Sequence, residues 1–366
     1  MNIAITIIAY NRVDSLQRVL SSVERAYYDQ PVTLIISIDK SKTTAVEEYA
    51  DKYNWPHGEK KVIKHAENLG LRRHVLECGD RVSEYDAMVV LEDDITVAES
   101  FFIYVTQCVQ KFKDDDTIAG ISLYNFPINY HNQYPFHPLQ TDSDVYLMTC
   151  AQSWGQVWMP SQWAAFRKWY ESHNEEFSIQ PHLPYSICSW PKSSWLKYHT
   201  RYCIEQHKYF VYPYMALCTN NSDAGTHVSK KNTQFQAFQL YGLKEQFNIN
   251  PSILYDGFFE CENLYDVLEL NTNNLCIDIL GIKNNAEKKR YWLTRKYCNY
   301  KIIRSFSLDL KPYELNFFFN KEGSDIFLYD TRIQENNKLY KNRFSDFFYF
   351  YQLYNFKDLI KKIFNI

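Results

Sequence analysis

Val89-Val90-Leu91-Glu92-Asp93-Asp94-Ile95 is the stretch whose reading decides the rest of the chain. The apolar run Ala87 to Leu91 breaks into three consecutive carboxylates, and a helix-like apolar pattern resumes at Phe101, Phe102, Val105 and Val109. A short apolar run bounded by charge reads as a buried parallel strand. The acids then fall at the strand's carboxyl end, where open α/β sheets place their ligands. Three adjacent carboxylates repel one another, so a cation is expected to compensate them. A hard divalent ion bridging to a phosphate is the natural candidate. The plain alternative for an arbitrary Glu-Asp-Asp is a solvated acidic turn; position after a buried strand reverses that preference.

Upstream, Ile3-Ala4-Ile5-Thr6-Ile7-Ile8-Ala9 is β-branched and almost wholly apolar, as a central parallel strand requires. Tyr10-Asn11-Arg12 follows, and Asp14 is expected to cap a helix with Leu16, Val19, Leu20 and Val23 on one face. A second strand, Val32 to Ile38, ends at Asp39-Lys40-Ser41. A helix near Thr43 to Tyr53 leads to a third strand near Lys61 to Lys64. Asn68-Leu69-Gly70-Leu71-Arg72-Arg73-His74 then opens another helix before the acidic strand. This alternation predicts a mostly parallel sheet with crossover helices. Arg12, Asp39, His74 and Glu92-Asp93-Asp94 would share one edge of it. Taken singly, Asp39 reads equally as a turn or cap residue, and Arg12 and His74 as members of surface ion pairs. Together they suit a phosphorylated ligand, since an acid can accept from a nucleobase or ribose while Arg and His meet phosphate. No G-x-G-x-x-G or G-x-x-x-x-G-K-[ST] is present, so dinucleotide and P-loop readings lack their fingerprint.

With 366 residues the chain can hold one large domain and a smaller one. Forty Lys+Arg against 43 Asp+Glu gives a net charge of −3, without the basic excess a nucleic-acid partner requires. Nine cysteines, an odd number without C-x-x-C or metal-ligand spacing, suggest reduced thiols in a cytosolic protein. The first apolar run is short and lacks a basic leader, so it is a poor signal peptide, and no run approaches the ~18 residues of a membrane span. The expectation is a protein soluble inside the cell, or resting on a membrane from that side.

Ala9-Tyr10-Asn11-Arg12, Ser37-Ile38-Asp39, Asn68-Leu69-Gly70 and Leu91-Glu92-Asp93-Asp94 together resemble nucleotide-sugar glycosyltransferases of the GT-A fold. More narrowly, the chain resembles bacterial family 2-type enzymes related to N-acetylglucosaminyltransferase I, in which Glu-Asp-Asp stands for the usual D-x-D. The resemblance implies an α/β fold with a Rossmann-like, mostly parallel sheet over residues 1–240. It also implies that Asp94 holds Mn²⁺ (or Mg²⁺) against the donor diphosphate, that Asp93 faces the ribose or sugar, and that Glu92 faces the transferred sugar. Arg12 and Asp39 match residues lining the uracil pocket, and Arg73-His74 matches an Arg-His pair whose His contacts the nucleotide. Further on, Thr149 to Trp158 resembles the segment before the acceptor-side helix, which would run from Ser161 to Tyr170. Tyr212-Pro213 and Thr219 to His227 resemble the end of the catalytic domain, with His227 near the metal and diphosphate. The likeness covers roughly residues 1 to 230. It implies transfer of a hexosyl or N-acetylhexosaminyl group from a nucleotide-sugar, most readily a UDP-sugar, to a glycan or lipid-linked glycan, as in bacterial surface-glycan assembly.

One departure matters. Inverting members carry an acid beside a Trp, in a D-D-W or D-S-W pattern, to take the proton from the attacking hydroxyl. The matching segment here is Trp190-Pro191-Lys192-Ser193-Ser194-Trp195. Another acid does the work, the correspondence is shifted, or activity is lost. Asp223 and Glu205 are the substitutes that can be named, and Asp223 is preferred because its segment should reach the donor site. The rival readings are a catalytically impaired donor-binding member and a sugar nucleotidyltransferase. The nucleotidyltransferase should carry a Gly-rich basic loop where Ala9-Tyr10-Asn11-Arg12 stands.

Residues 245–366 carry no assignable motif and read as a small appended α+β domain. Asn248-Ile249-Asn250-Pro251 looks like a linker, and Tyr313 to Asn316 and Asp325 to Tyr329 look like short strands. At the tail, Phe356, Leu359, Ile360, Ile363 and Phe364 fall on one helical face, with Lys357, Lys361 and Lys362 among the polar positions. Behind the aromatic run Phe347 to Tyr351, such a basic helix suits an anionic membrane surface; packing on its own domain suits it equally.

Overall fold

The computed structural model describes residues 1–223, 233–337, 348–352 and 360–361. They form two compact units: Met1–Pro127 with Gln140–Ile179 and Tyr185–Gly257, and Ile128–Leu139 with Gln180–Pro184 and the described part of Phe258–Ile366.

The first unit opens with β1 (Ile3–Ala9), buried along its whole length. The chain continues through α1 (Val13–Glu24), β2 (Thr33–Ile38), α2 (Ala45–Lys52), β3 (Lys60–Lys64), α3 (Gly70–Asp80) and β4 (Ala87–Glu92). After the acidic triplet come β5 (Ile95–Val97), α4 (Phe101–Phe112), β6 (Ile118–Ser122), β7 (Val145–Met148) and β8 (Gln156–Trp158). The unit is completed by α5 (Pro160–Glu171), α6 (Tyr185–Ser189), α7 (Leu196–Glu205), β9 (Tyr209–Pro213), β10 (Cys218–Asn220) and β11 (Leu254–Tyr255). Nine strands join in the order β11-β7-β9-β6-β8-β4-β1-β2-β3. The block β3-β2-β1-β4 is wholly parallel, and antiparallel β8 joins it to the rest. This is the mostly parallel α/β sheet expected of a GT-A domain.

Register explains the common edge. Ala9 lies opposite Ile38 and Ile8 opposite Glu92, so the chain leaves β1, β2 and β4 at one level. Tyr10-Asn11-Arg12, Asp39 and Asp93-Asp94 therefore emerge side by side. The apolar face of α1 carries Leu16, Val19, Leu20 and Val23 into the core as expected. Asp14 does not cap it: Arg12 holds the N-cap position without a side-chain cap, and Asp14 sits in the first turn, where a carboxylate favours the helix dipole. The short β5 gives no periodic signal in sequence. It pairs antiparallel with β10, Ile95 opposite Asn220, and so carries residues 220–223 back to the acidic triplet.

Asn248 is no linker. Its N–H donates to an Asp144 carboxylate oxygen at 2.8 Å and its carbonyl accepts from the Asp144 N–H at 2.8 Å. β11 then adds to the sheet edge beside β7. The second unit has its own sheet, in the order β12 (Leu275–Asp278), β13 (Tyr291–Thr294), β15 (Ile326–Gln334), β14 (Tyr300–Phe306), with short helices α8 (Leu264–Val267) and α9 (Leu315–Phe318). The strand expected from Asp325 is β15. The one expected at Tyr313 to Asn316 is instead a helical turn, begun by N–H bonds from Leu315 to the Pro312 carbonyl and from Asn316 to that of Tyr313. The helix expected at the tail lies outside the described residues apart from Ile360 and Lys361. Among the described residues no helix is long and apolar enough to cross a membrane.

Aromatic packing fixes α5 and α7 against the sheet. Trp158 stacks on Trp163 with ring centroids 4.0 Å apart, and Phe166 stacks on His199 at 4.2 Å. A Cβ at Gly79 of α3 would fall 2.1 Å from the Trp163 ring, so only glycine admits this helix contact. Gly79→Ala should cost ~1–3 kcal/mol in urea unfolding through overpacking. His199 is fully buried, and neither ring nitrogen has a hydrogen-bond partner among the described residues. Burial pushes its pKa down to about 3, so the ring is neutral. An unfolded His titrates near 6.5, so stability is lost as pH falls from there toward 3. His199→Phe should therefore stabilise the protein by ~1 kcal/mol at neutral pH. Paired unfolding curves should show that gain widening below pH ~6.5.

Candidate active site

A cleft of about 580 Å³ opens at the carboxyl ends of the parallel strands. Its walls come from the end of β1 (Ile8 to Arg12), from Asp39, from the entry to α3 (Asn68, Gly70, Leu71, His74) and from Glu92-Asp93-Asp94. Trp154, Ser193, Asn220, Ser222, Asp223 and Phe235 complete it. Thus Arg12, Asp39, His74, Glu92, Asp93, Asp94 and Asp223 meet in one place. His227 lies outside the described residues.

Electrostatics centre on the triplet. The Arg12 guanidinium forms a short ion pair with Asp93 and reaches an Asp94 oxygen at 3.3 Å. The cation expected from the sequence is thus supplied, at least in part, by the chain itself. Burial pushes Asp93 up to about 6, with Arg12 opposing. Glu92 is pushed up to about 8, first by burial and then by the charges of Asp94 and Asp93. At neutral pH Glu92 therefore keeps its proton. The second carboxylate oxygen of Asp94, Oδ1, is buried with no hydrogen-bond partner among the described residues.

Asp39 is committed to the backbone. One carboxylate oxygen accepts from the N–H groups of Lys40 at 2.9 Å and Leu69 at 2.8 Å; the other accepts from Gly70 at 3.0 Å. It pins the start of α3 to the end of β2, the plain role open to it from sequence, while still lining the cleft. His74 is buried and shares a 2.8 Å hydrogen bond with the Ser37 hydroxyl. Burial, helped by neighbouring His65, lowers it to about 4. It therefore meets a ligand as a neutral imidazole rather than as a cation. Arg73, its sequence neighbour, is exposed and paired to Glu67 and Glu77.

The β5–β10 ribbon brings Asp223 in. Asn221 donates to the Asp94 carbonyl from its N–H at 2.8 Å and from its amide side chain at 3.0 Å. The Asn220 side chain accepts from the Ser222 N–H at 2.6 Å, and Ser222 takes φ +60°. Such a turn suits an Asx residue followed by a left-handed conformation. Asp223 follows, one carboxylate oxygen ion-paired to Arg18 and accepting from the Ser15 hydroxyl at 3.0 Å. Glu205 is ion-paired to Arg201 one turn away on α7 and is not part of the cleft wall. Ser193 does line the cleft, just before the buried Trp195 and α7. Arg18, Ser15 and Phe235 were not singled out from sequence. Arg18 lies 205 residues from its partner, and no local pattern could have paired them.

Whether the site suits a divalent metal turns on Asp94. Hard cations take oxygen ligands, and Mg²⁺-type sites commonly use one or two carboxylates plus substrate phosphates. The orphaned buried Oδ1 of Asp94 is such a ligand. Among the described residues no cluster of three or more His, Cys, Asp or Glu could hold a metal unaided. The donor set therefore fits an ion shared with a diphosphate, not a closed structural site.

Fold and site together define an α/β protein with an acid-lined cleft at the strand ends. Residues 4–171 match the family model described as Glycosyl transferase family 2. Three solved structures show partial likeness. A mannosyltransferase from Pyrobaculum calidifontis in complex with GDP-Man and Mn²⁺ is 12% identical, with TM-score 0.39, over 62% of this chain and 58% of that one. S. aureus TarS 1–349 is 10% identical, with TM-score 0.38, over 61% of each. GalNAc-T7 with UDP, GalNAc and Mn²⁺ is 14% identical, with TM-score 0.41, over 58% of this chain and 42% of that one. The matches thus span less than two thirds of those chains. No curated protein sequence matches the chain.

The raised acids have a measurable consequence for the metal-free protein. Glu92 moves from an ordinary 4.5 to about 8 and Asp93 from 3.8 to about 6, so the folded state holds protons that the unfolded state has released. Their contribution to stability is full below pH ~4 and is lost as pH rises toward 8. Glu92→Gln removes the larger of the two shifts. Denaturation of wild type and variant from pH 5 to 8 should show the variant gaining relative stability with pH; parallel curves would refute the assignment.

Proposed function

We propose that this protein transfers a hexosyl or N-acetylhexosaminyl group from a nucleotide-sugar, preferentially UDP-linked, to a hydroxyl of a glycan or lipid-linked glycan. The reaction would be inverting and Mn²⁺- or Mg²⁺-dependent, in bacterial surface polysaccharide synthesis on the cytoplasmic side of the membrane. The observation that carries the reading is the Glu92-Asp93-Asp94 triplet, braced by Arg12 at a parallel strand end, inside a cleft large enough for a nucleotide-sugar.

Asp94 would hold the metal through its unpartnered oxygen. A metal held by Asp94 would supply positive charge to offset that of a departing diphosphate. Asp93 would face the ribose and Glu92 the transferred sugar. Neutral His74 and the strand-end residues Arg12 and Asp39 would border the nucleotide, and His227 would add a phosphate contact. Ser193 stands where the family carries its acid, and a serine hydroxyl is far too weak a base to replace a carboxylate. Asp223 takes that role in this proposal. Arg18 and Ser15 engage one of its oxygens and orient the carboxylate, so the other can accept the acceptor's proton. The transfer chemistry is assigned to the first unit, which runs past residue 240 through β11 to Gly257, and the chain from Phe258 onward to an appended domain whose expected tail helix would rest on the membrane surface.

Calorimetric titration of UDP-, GDP- and CMP-sugars with and without Mn²⁺ tests the donor half. One donor should bind in a metal-dependent manner and weaken ~10–100-fold in Asp94→Ala. Metal-independent binding, or equal binding by the variant, would overturn it. Asp223→Asn should bind that donor normally while transfer falls ~10²–10⁴-fold. Undiminished transfer would remove Asp223 from the mechanism.

A further inference from the structure

A second groove of about 530 Å³ runs along the outer side of α3 and α5. Gly70, Leu71 and Ser193 line both it and the cleft described above, so the two share a wall at the residue that the family resemblance matches to the base. Its walls carry three guanidinium groups, Arg72, Arg73 and Arg167, against two carboxylates, Glu77 and Asp80. Arg73 is paired with Glu77, and also with Glu67 outside the groove, and Arg167 is paired with Asp80. Arg72 has no carboxylate within ion-pair distance among the described residues. Its Nε donates to the Tyr170 hydroxyl at 2.6 Å, and its terminal nitrogens donate to the carbonyls of Asn174 at 2.5 Å and Lys192 at 3.4 Å. The guanidinium lies 4.2 Å from the centre of the Tyr198 ring, which shields one face from water. A guanidinium has five N–H donors, so ~2 remain on a half-buried cation without a counter-charge. Such a group favours an anion, and a carboxylate or phosphate meets its planar fork best.

We propose that this groove is the acceptor subsite and that it selects an anionic saccharide, one bearing a carboxylate or a phosphodiester, with that charge set against Arg72. The inference rests on the glycosyltransferase reading, because an acceptor hydroxyl entering the groove reaches the donor cleft past Ser193. Arg73 and Arg167 set the positive balance of the walls, and the buried Tyr170 holds Arg72 in place through its hydroxyl. The bond from Arg72 to the Lys192 carbonyl also ties the groove to the loop that carries Ser193. Anion binding and loop position are thereby linked.

The test uses the full chain with UDP and Mn²⁺ present. The probes are a galacturonic acid trisaccharide, its neutral carboxyl-reduced counterpart and a glycerol phosphate trimer. At least one anionic probe should bind about tenfold more tightly than the neutral trisaccharide, and the preference should shrink with added NaCl. Which of the two binds distinguishes a carboxylate acceptor from a phosphodiester one. Arg72→Gln should abolish the preference. Arg72 also braces the loop, so Arg73→Gln/Arg167→Gln, at two surface positions, provides the second variant; it turns the wall charge negative and should cut the preference severalfold. Equal binding of charged and neutral probes, or a preference unchanged in both variants, would overturn the proposal. Nucleotide binding separates the failures. No binding of UDP, GDP or CMP by the wild type defeats the glycosyltransferase reading, whereas intact nucleotide binding without anion preference defeats only the groove.

Discussion

The carboxylates at the end of β4 are the constraint around which the first unit is built. Parallel pairing with β1 delivers them to an edge that is largely shielded from water, where like charges repel far more strongly than in solvent. Two responses are visible. Arg12 arrives from the same register level and lies across Asp93 and Asp94, and Glu92 keeps its proton. Neither response is complete, since one Asp94 oxygen stays buried without a partner among the described residues. A site left short of positive charge in this way lowers its energy when a cation or a cation–phosphate pair enters. Charge that a stable core would avoid is thus retained where a ligand can neutralise it.

The residues around the triplet are held rigidly because their polar groups are used twice. Asp39 borders the cleft, yet its carboxylate is occupied by three backbone N–H groups. Removing it would release the start of α3 as well as a wall of the site. His74 is fixed by Ser37 in the same manner. This is the economy of a preorganised site: orientation is settled on folding, and little ordering remains to be done when a ligand binds.

Legibility in the sequence followed the range of the interactions. β1, β2, β4 and α1 were readable because burial on both faces, or on one helical face, imposes a local apolar pattern. The shared edge was readable too, since parallel strands joined by crossovers must end together. The β5–β10 ribbon was not, because three-residue strands leave no period and their pairing spans more than a hundred residues. The Asp223–Arg18 pair was invisible for the same reason. Local rules misled at Asp14, where a plausible cap residue lies one step inside the helix, and at Tyr313, where an aromatic, strand-like run becomes a helical turn after Pro312. Asn248 was mistaken for a linker because its composition is polar, while its hydrogen bonds go to Asp144, far back in the chain.

The serines before α7 acquire a physical meaning from that ribbon. In the proposed reaction an acid on the α7 side would have to keep its distance to the metal through a separate loop. Asp223 follows a strand that pairs with β5, and β5 begins directly after Asp94. Asn221 further ties this segment to the Asp94 carbonyl. Metal ligand and base would therefore share one short, hydrogen-bonded piece of structure, whose relative positions vary less than those of two independent loops. With that link in place, the α7 side no longer needs to supply a carboxylate. Ser193, which lines both grooves, would then leave a small neutral side chain on the proposed acceptor approach.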